Sequence, residues 1–386
     1  MNKNEFGKLV KSYRQQRGWT QEELSDRWGY SRGYVAQIEA GKRKLDSAEQ
    51  VVRLADILDI PQEKLEAIGR GIPQRKLAAV SSKDADNVIL QMLLEPGRDM
   101  VKLAYMVWLA DQNQNIEENL RTWTLKLEQA LTSYAGEFAK SAQRLLAYAH
   151  LMRGRMAFDR LDFAAASGHF LETADLGQEM NDADCIALGM SYQADVLRKR
   201  GRYETALRCF EAAKPYVTAA SLDVQGKHYA QVARAHYIFG DEQRFLRAIN
   251  PALEIADQMK DSVMNLFSLD EVLCEQAAGF TRLDQPEKAI NIFKQTDHLR
   301  PFRPLRELGS YTLEKALAYL YTGDLDQGID FALRGLQLAS EYHSKRHVRR
   351  MEVTYNRLHI LPIGKDKRLN VLREAIIEAQ QKQEGW

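Results

Sequence analysis

Residues 20–40 read TQEELSDRWGYSRGYVAQIEA, and the order of these residues decides the amino-terminal fold. Thr20 is a good helix cap. Glu23, three positions on, completes a capping box in which each side chain answers the other's backbone amide. The run from Thr20 to Trp28 favours helix and buries Leu24 and Trp28. Gly29 offers the backbone freedom of a tight turn. Ser31 then caps a second helix that buries Val35 and Ile38. Gly41 ends that helix, and Lys42, Arg43 and Lys44 follow. Two short helices joined through a glycine, the second with polar and small side chains on its leading face, have the grammar of a helix-turn-helix.

The flanks extend the pattern. A helix over about residues 4–16 would carry Phe6, Leu9, Val10 and Tyr13 on one face and end at Gly18. A fourth, over about residues 47–58, would bury Val51, Leu54, Ala55 and Leu58. Pro61 would open a short fifth containing Leu65 and Ile68.

Arg14, the run GWTQEELS, Gly29 and the run VAQIEAGKR give residues 5–68 a resemblance to the phage repressor/Cro (XRE) family of five-helix DNA-binding domains. Ser25 stands where the family often has alanine. The resemblance implies that the helix after Gly29 enters the major groove. Arg32 and Gln37 would then read bases, since Arg bridges guanine and Gln bridges adenine through paired hydrogen bonds. Tyr34 and Ala36 would lie at the groove, with Tyr34 packed inside as the alternative. A phosphate contact is the alternative for Arg32. Gly33, at an early position of that helix, offers no side chain to a base. Gln21, Lys42 and Arg43 would hold phosphates, with Lys44 either a contact or a solvated loop residue. Arg14 and Glu39 look like the family's buried ion pair between the first and third helices.

Composition agrees with a basic head on a larger body. The chain has 386 residues, 45% of them apolar, and a net charge of +1. Residues 1–80 hold 15 Lys and Arg against 11 Asp and Glu, so the excess cations sit there and the remainder is slightly acidic. No leader-like apolar segment or membrane-length run is present, so a cytoplasmic protein without a membrane partner is expected. Cys185, Cys209 and Cys274 are far apart and lack metal-ligand spacing, which points to reduced, buried thiols. His343 and His347 stand one helical turn apart amid Lys345, Arg346, Arg349 and Arg350, a setting hostile to a metal cation. No phosphate-cradling glycine loop, nucleophile elbow or acid/base constellation emerges. No enzyme, cofactor or metal is expected.

From residue 140 onward a polar turn, an aromatic or apolar residue and then a small residue recur. The corresponding positions are Ala166, Ala206, Phe245, Ala289 and Gly328, a period near 40. Two helices per period make a helical solenoid. The pairs Gly154/Ala166, Ala194/Ala206 and Ala316/Gly328, twelve residues apart, resemble the tetratricopeptide repeat, as do Phe170, Phe210 and Phe293. Phe245 departs from the pattern and leaves its unit's register open. The runs 99–110 and 116–134 would form an earlier helix pair, and about residues 366–382 a capping helix. Residues 69–87 read as a linker between a domain over 1–68 and a repeat domain over 88–386. The run Arg300–Arg306 reads as an inter-unit loop whose prolines start the next helix.

The expected fold class is therefore all-α: a five-helix DNA-binding domain followed by a tetratricopeptide-like right-handed solenoid. Projecting the repeat geometry lines a concave groove with Tyr148, Arg155, Asp159, Asp195, Arg198, Lys199, Lys227, Arg234, Tyr237, Glu271, Thr281 and Arg282. Its basic members outnumber the acidic ones, which suits a peptide bearing carboxylates. Head and body together resemble the RRNPP group of peptide-responsive regulators. That implies a homodimeric transcription factor with a two-part double-stranded DNA operator and a short signalling peptide. The group often grips the peptide backbone with asparagines, and the concave positions here contain none, so the ligand stays open. The alternative is a tetratricopeptide scaffold or inhibitor that captures a partner protein, with DNA binding secondary.

Overall fold

The computed structural model of the chain describes residues 3–28, 30, 32–43, 45, 48–58, 60, 64, 82–110, 114–134, 136–259, 267–299 and 303–384. Every regular element among them is helical. The chain divides into two compact units, Met1–Val80 and Ser81–Trp386.

The first unit contains α1 (Lys3–Gln16), α2 (Gln21–Trp28), α3 (Arg32–Glu39) and α4 (Ala48–Ile57). Phe6, Val10, Leu24, Trp28, Val35, Ile38, Leu54, Ala55 and Leu58 form its core, and Leu9, Tyr13 and Val51 pack around them half-buried. The capping box is made in both directions. The Thr20 amide donates to Glu23 Oε2 at 2.7 Å, and the Glu23 amide donates to Thr20 Oγ1 at 3.2 Å. Gly41 leaves α3 at φ +67°, and a Cβ there would stand 2.2 Å from the Asn4 side-chain oxygen, so the exit admits no larger residue. Gly29, Ser31, Lys44 and the expected fifth helix with Leu65 and Ile68 lie outside the described residues.

The second unit is a tetratricopeptide-like stack of helix pairs: α5 (Ser82–Ala110) with α6 (Gln114–Ser133), α7 (Ala139–Asp159) with α8 (Phe163–Met180), and α9 (Ala183–Lys199) with α10 (Tyr203–Ala219). It continues with α11 (Leu222–Ile238) and α12 (Glu242–Gln258), α13 (Leu269–Arg282) and α14 (Pro286–Leu299), then α15 (Leu305–Thr322) and α16 (Leu325–Glu341). The last two helices are α17 (Lys345–Ile360) and the cap α18 (Leu369–Glu384). From α5 onward, the first helix of each pair also packs on the first helix of the next. The period near 40 resides in the helices, which run 17 or 18 residues in α8 to α12. The unit starts earlier than the linker reading allowed. Residues 82–87 are already helical, so α5 takes the carboxyl end of the 69–87 segment.

Aspartate caps fix the register of the repeats. Asp162, Asp241 and Asp324 accept from the amides of Ala165, Arg244 and Gln327 at 3.0, 2.9 and 3.2 Å. Each stands four residues before Ala166, Phe245 and Gly328, so the third unit keeps the common register despite its large residue. Phe245 is fully buried, and space for its ring comes from Gly279 on α13, where a Cβ would meet the ring at 2.3 Å. Gly154 has a similar role. A Cβ on it would come within 2.5 Å of the Phe170 ring, so the small residue accommodates an aromatic. Replacing Gly279 by alanine is expected to destabilise the body by about 1–3 kcal/mol through overpacking. Phe245→Leu in the same chain should restore much of the loss. Denaturant midpoints of the two single variants and the double variant check this, and additive losses would contradict it.

Candidate DNA interface and the inner face of the body

In the first unit, α3 is held from beneath by one buried ion pair. Arg14 Nε donates to Glu39 Oε1 at 2.5 Å and Nη2 to Oε2 at 2.9 Å, while Nη1 reaches the Trp19 carbonyl. The Glu39 carboxylate keeps the Arg14 guanidinium firmly charged. Because both partners are buried and all three guanidinium nitrogens are engaged, the pair sets the angle of α3 against α1. The side chain of Gln21 joins it, donating to Glu39 Oε2 at 2.8 Å. That ties one amide proton of the expected phosphate contact into the core and leaves the rest of the amide for an outside partner.

The outer face of α3 exposes Arg32, Gly33 and Gln37, with Ala36 half-buried between them, and Lys42 and Arg43 follow exposed at its exit. Tyr34 packs inward rather than standing free at the groove. Its ring stacks on Tyr30 at 4.9 Å and lies 5.6 Å from Trp28, and the Arg43 guanidinium sits over it at 4.5 Å. Tyr34 thus serves as a platform that directs Arg43. Alternating apolar and polar residues along α3 leave this choice open from sequence, since a tyrosine fits either face.

The concave face of the body departs most from expectation. Asp159, Asp195, Arg198, Lys227 and Tyr237 are all less than 8% exposed. They form an ordered interior of ion pairs in place of a solvated groove wall. Asp195 accepts from Arg198 Nε at 2.7 Å and lies 3.6 Å from Arg234. Arg234 and Tyr237 both donate to Glu275, and Lys227 pairs with Glu271. Arg282 and Arg350 converge on Glu314 at 2.8 and 2.5 Å. Thr281 is turned into its own helix, donating to the Ala277 carbonyl at 3.0 Å. Arg155 is ringed by Trp108, Tyr105 and Tyr192, at 4.6, 5.2 and 5.8 Å from its guanidinium. Lys199, Tyr148 and the outer part of Glu271 keep solvent-facing surface.

The physical reason is closure. Arg306, at the start of α15, reaches across to the first helices of the body. It donates through Nε to the Trp108 carbonyl at 2.6 Å and through Nη2 to the Tyr342 carbonyl at 2.8 Å, and it pairs with Asp159 through Nη1. Ser344 and Arg346 complete the shell of Asp159 at 3.0 and 3.1 Å. The sequence reading missed Glu275 and Glu314, although a signal for them exists. They stand two residues before the small residues Ala277 and Ala316, the same register as Tyr192 and Gln231. His347 is buried with its ring nitrogens engaged by Tyr342 at 2.7 Å and Arg346 at 3.1 Å. Cys185 is buried, and Cys209 and Cys274 are partly so. Burial raises the pKa of each thiol.

Burial alone would raise the Glu314 carboxyl, but Arg282 and Arg350 reverse this and hold it down to about 2. Burial, with a smaller contribution from Lys214, lowers His228 to about 4. Both folded values lie below the unfolded ones, so both contributions to stability are present at neutral pH and lost on acidification. The His228 part should fade between about pH 6.5 and 4, and the Glu314 part from about pH 4.5 towards 2. Denaturant midpoints measured from pH 7 to 3 are expected to fall in that order. A profile flat down to pH 4.5 would contradict the assignment to His228.

The fold and the exposed face of α3 define a helix-turn-helix head on a tetratricopeptide-like helical body. Residues 5–68 match the family model described as a helix-turn-helix domain. Among solved structures, Bacillus thuringiensis PlcR in complex with the peptide PapR7 and DNA matches with a TM-score of 0.41 and 16% identity. The match covers 81% of this chain and 99% of that one. The TPR domain of P58(IPK) matches with a TM-score of 0.20 and 13% identity over 98% of each chain. No curated protein matches the sequence. No helix among the described residues is long and apolar enough to cross a membrane.

Proposed function

We propose that the chain is a sequence-specific, DNA-binding transcriptional regulator of the cytoplasm that acts as a homodimer and whose body receives a regulatory ligand. The observation that carries this reading is the outer face of α3. Arg32 and Gln37 project about 1.4 turns apart from a helix braced by the Arg14–Glu39 pair, with Lys42 and Arg43 exposed beside them. Arg32 and Gln37 read base edges, and Gln21, Lys42 and Arg43 hold phosphates. One head offers few base-reading groups, with Gly33 silent. Useful specificity therefore requires two heads on half-sites about 34 Å apart or a multiple of it.

The ligand of the body is a short peptide with acidic side chains or a free carboxylate. Its support is the cationic surplus of the inner face. Enclosure, together with the like charges of Arg198, Arg350 and Arg346, lowers the pKa of the solvent-facing Lys199. An anion beside Lys199 would relieve that repulsion. It shifts regulation only by binding one shape of the body more tightly than another. The mutual pairing of the other inner charges favours, as a second reading, a body that binds a partner protein over its outer surface. Footprinting on DNA upstream of the chain's own gene tests the main reading. A discrete protected palindrome is expected, and diffuse, salt-labile protection alone would leave the scaffold reading.

A further inference from the structure

The body carries a second concavity apart from its ion-paired interior. It measures about 340 Å³ and lies between α5 and α7. Two helix stripes build it: Arg98, Val101 and Lys102 from α5, and Ser141, Arg144, Leu145 and Tyr148 from α7. The α7 residues fall at the spacing of a single helix face. Gly97 sets the depth, because a Cβ there would meet Trp123 at 2.0 Å and Leu145 at 2.6 Å, so no larger residue allows α5 to come this close. Val101 and Leu145 are buried and form an apolar floor.

The rim is cationic, and no carboxylate among the described residues lines the cavity. Arg144 is anchored from behind by Asp182 at 3.2 Å and Asp184 at 2.9 Å, which fixes its guanidinium with half of its surface still open. Arg98 and Lys102 are exposed and make no ion pair among the described residues. Burial raises the Tyr148 hydroxyl well above the usual tyrosine range, so it is a neutral donor at the wall. An apolar floor under cations of which only one is internally compensated selects one chemistry, a carboxylate borne on an apolar group. A neutral apolar molecule would waste the rim, and a bare inorganic anion would waste the floor.

We infer that the α5–α7 cavity is a binding site for a carboxylate attached to an apolar or aromatic group, with Arg98 and Lys102 as its charge partners and Arg144 as its positioned donor. Such a carboxylate belongs either to a free organic acid or to the carboxyl-terminal residue of a peptide. The assignment goes beyond the DNA-binding reading and stands or falls separately from it, since footprinting does not report on this cavity.

The test uses the full chain and fluorine NMR. One probe is 4-(trifluoromethyl)phenylacetate with its amide as control. The other is a short peptide ending in 4-(trifluoromethyl)phenylalanine, as free acid and as carboxyl-terminal amide. Saturable binding of an acid and not of its amide is expected. Removing both exposed charges with Arg98→Gln and Lys102→Gln should weaken it about tenfold or more, and an unchanged melting profile should accompany the loss. Ser141→Trp, which fills the cavity from its exposed edge without altering charge, should abolish it. Preference for the small acid identifies a metabolite site, and preference for the peptide acid identifies a peptide carboxyl terminus; either supports the assignment. Equal binding of acid and amide, binding indifferent to both sets of variants, or no saturable binding by either acid overturns it.

Discussion

Arg306→Met is expected to destabilise the body by roughly 3–5 kcal/mol, the cost typical of removing one partner from a buried ion pair. Arg306 is 2% exposed and Asp159 is 1% exposed, so loss of the guanidinium leaves a carboxylate whose side-chain partners among the described residues are Ser344 and Arg346. The carbonyls of Trp108 and Tyr342 lose a donor at the same time. The aromatic contacts add to the effect, because the guanidinium lies over Trp108 at 4.8 Å and Tyr342 at 4.7 Å. Methionine keeps much of the aliphatic volume, so the loss reports on charge and hydrogen bonding more than on a cavity. Adding Asp159→Asn to Arg306→Met should recover part of the stability by removing the stranded charge, which a double-mutant cycle measures. A loss below about 1 kcal/mol in denaturant titration, or no recovery in the double variant, would sink the account of closure.

Arg32→Ala combined with Gln37→Ala is expected to erase sequence preference while leaving weak, salt-sensitive binding. Each bidentate base contact is worth about 1–3 kcal/mol of discrimination. Across two heads the combined loss consumes most of the ordinary gap between specific and non-specific binding, about 10³–10⁷ in affinity. Both side chains are exposed, so neither substitution disturbs the core built on Val35 and Ile38. Lys42→Ala should behave differently, weakening operator and random DNA alike and flattening the salt dependence by about one counterion per head. Operator selectivity that survives the double substitution in a titration against unrelated duplex would remove Arg32 and Gln37 from the reading role.

The head was legible in the sequence because most of its signals act within a few residues. Capping box, exit glycine and the apolar spacing of α1 to α4 are local, whereas the pairing of Arg14 with Glu39, 25 positions apart, was legible only through the family pattern. The repeat units were legible for a similar reason: small residues and aspartate caps recur in phase. Phe245 obscured one unit, since its compensation lies 34 positions on, at Gly279. The inner face was misread because periodicity predicts which side of a helix points inward, and says nothing of what meets it there. Arg306 falls in a proline-flanked segment that reads as a loop, and Asp159 reads as one more polar residue on a concave stripe. The α5–α7 cavity was half-visible: Tyr148 stood among the expected groove residues, whereas Gly97, Arg98, Lys102 and Arg144 carried no motif.

The Arg306 contact also has a cost in time. A stack of repeats ordinarily gains stability from neighbours as each one is added, so its early units can settle before the late ones exist. Here the carboxylate of Asp159 waits for a guanidinium 147 residues further along, and the Trp108 carbonyl waits 198. At a synthesis rate of roughly 5–20 residues per second, Asp159 spends on the order of 7–30 s without its partner. During that interval the first helix pairs hold an uncompensated acid beside exposed tryptophan and tyrosine. The nascent chain is therefore most vulnerable just before α15 is made, and substitutions that slow the chain there should raise aggregation without changing the stability of the finished protein.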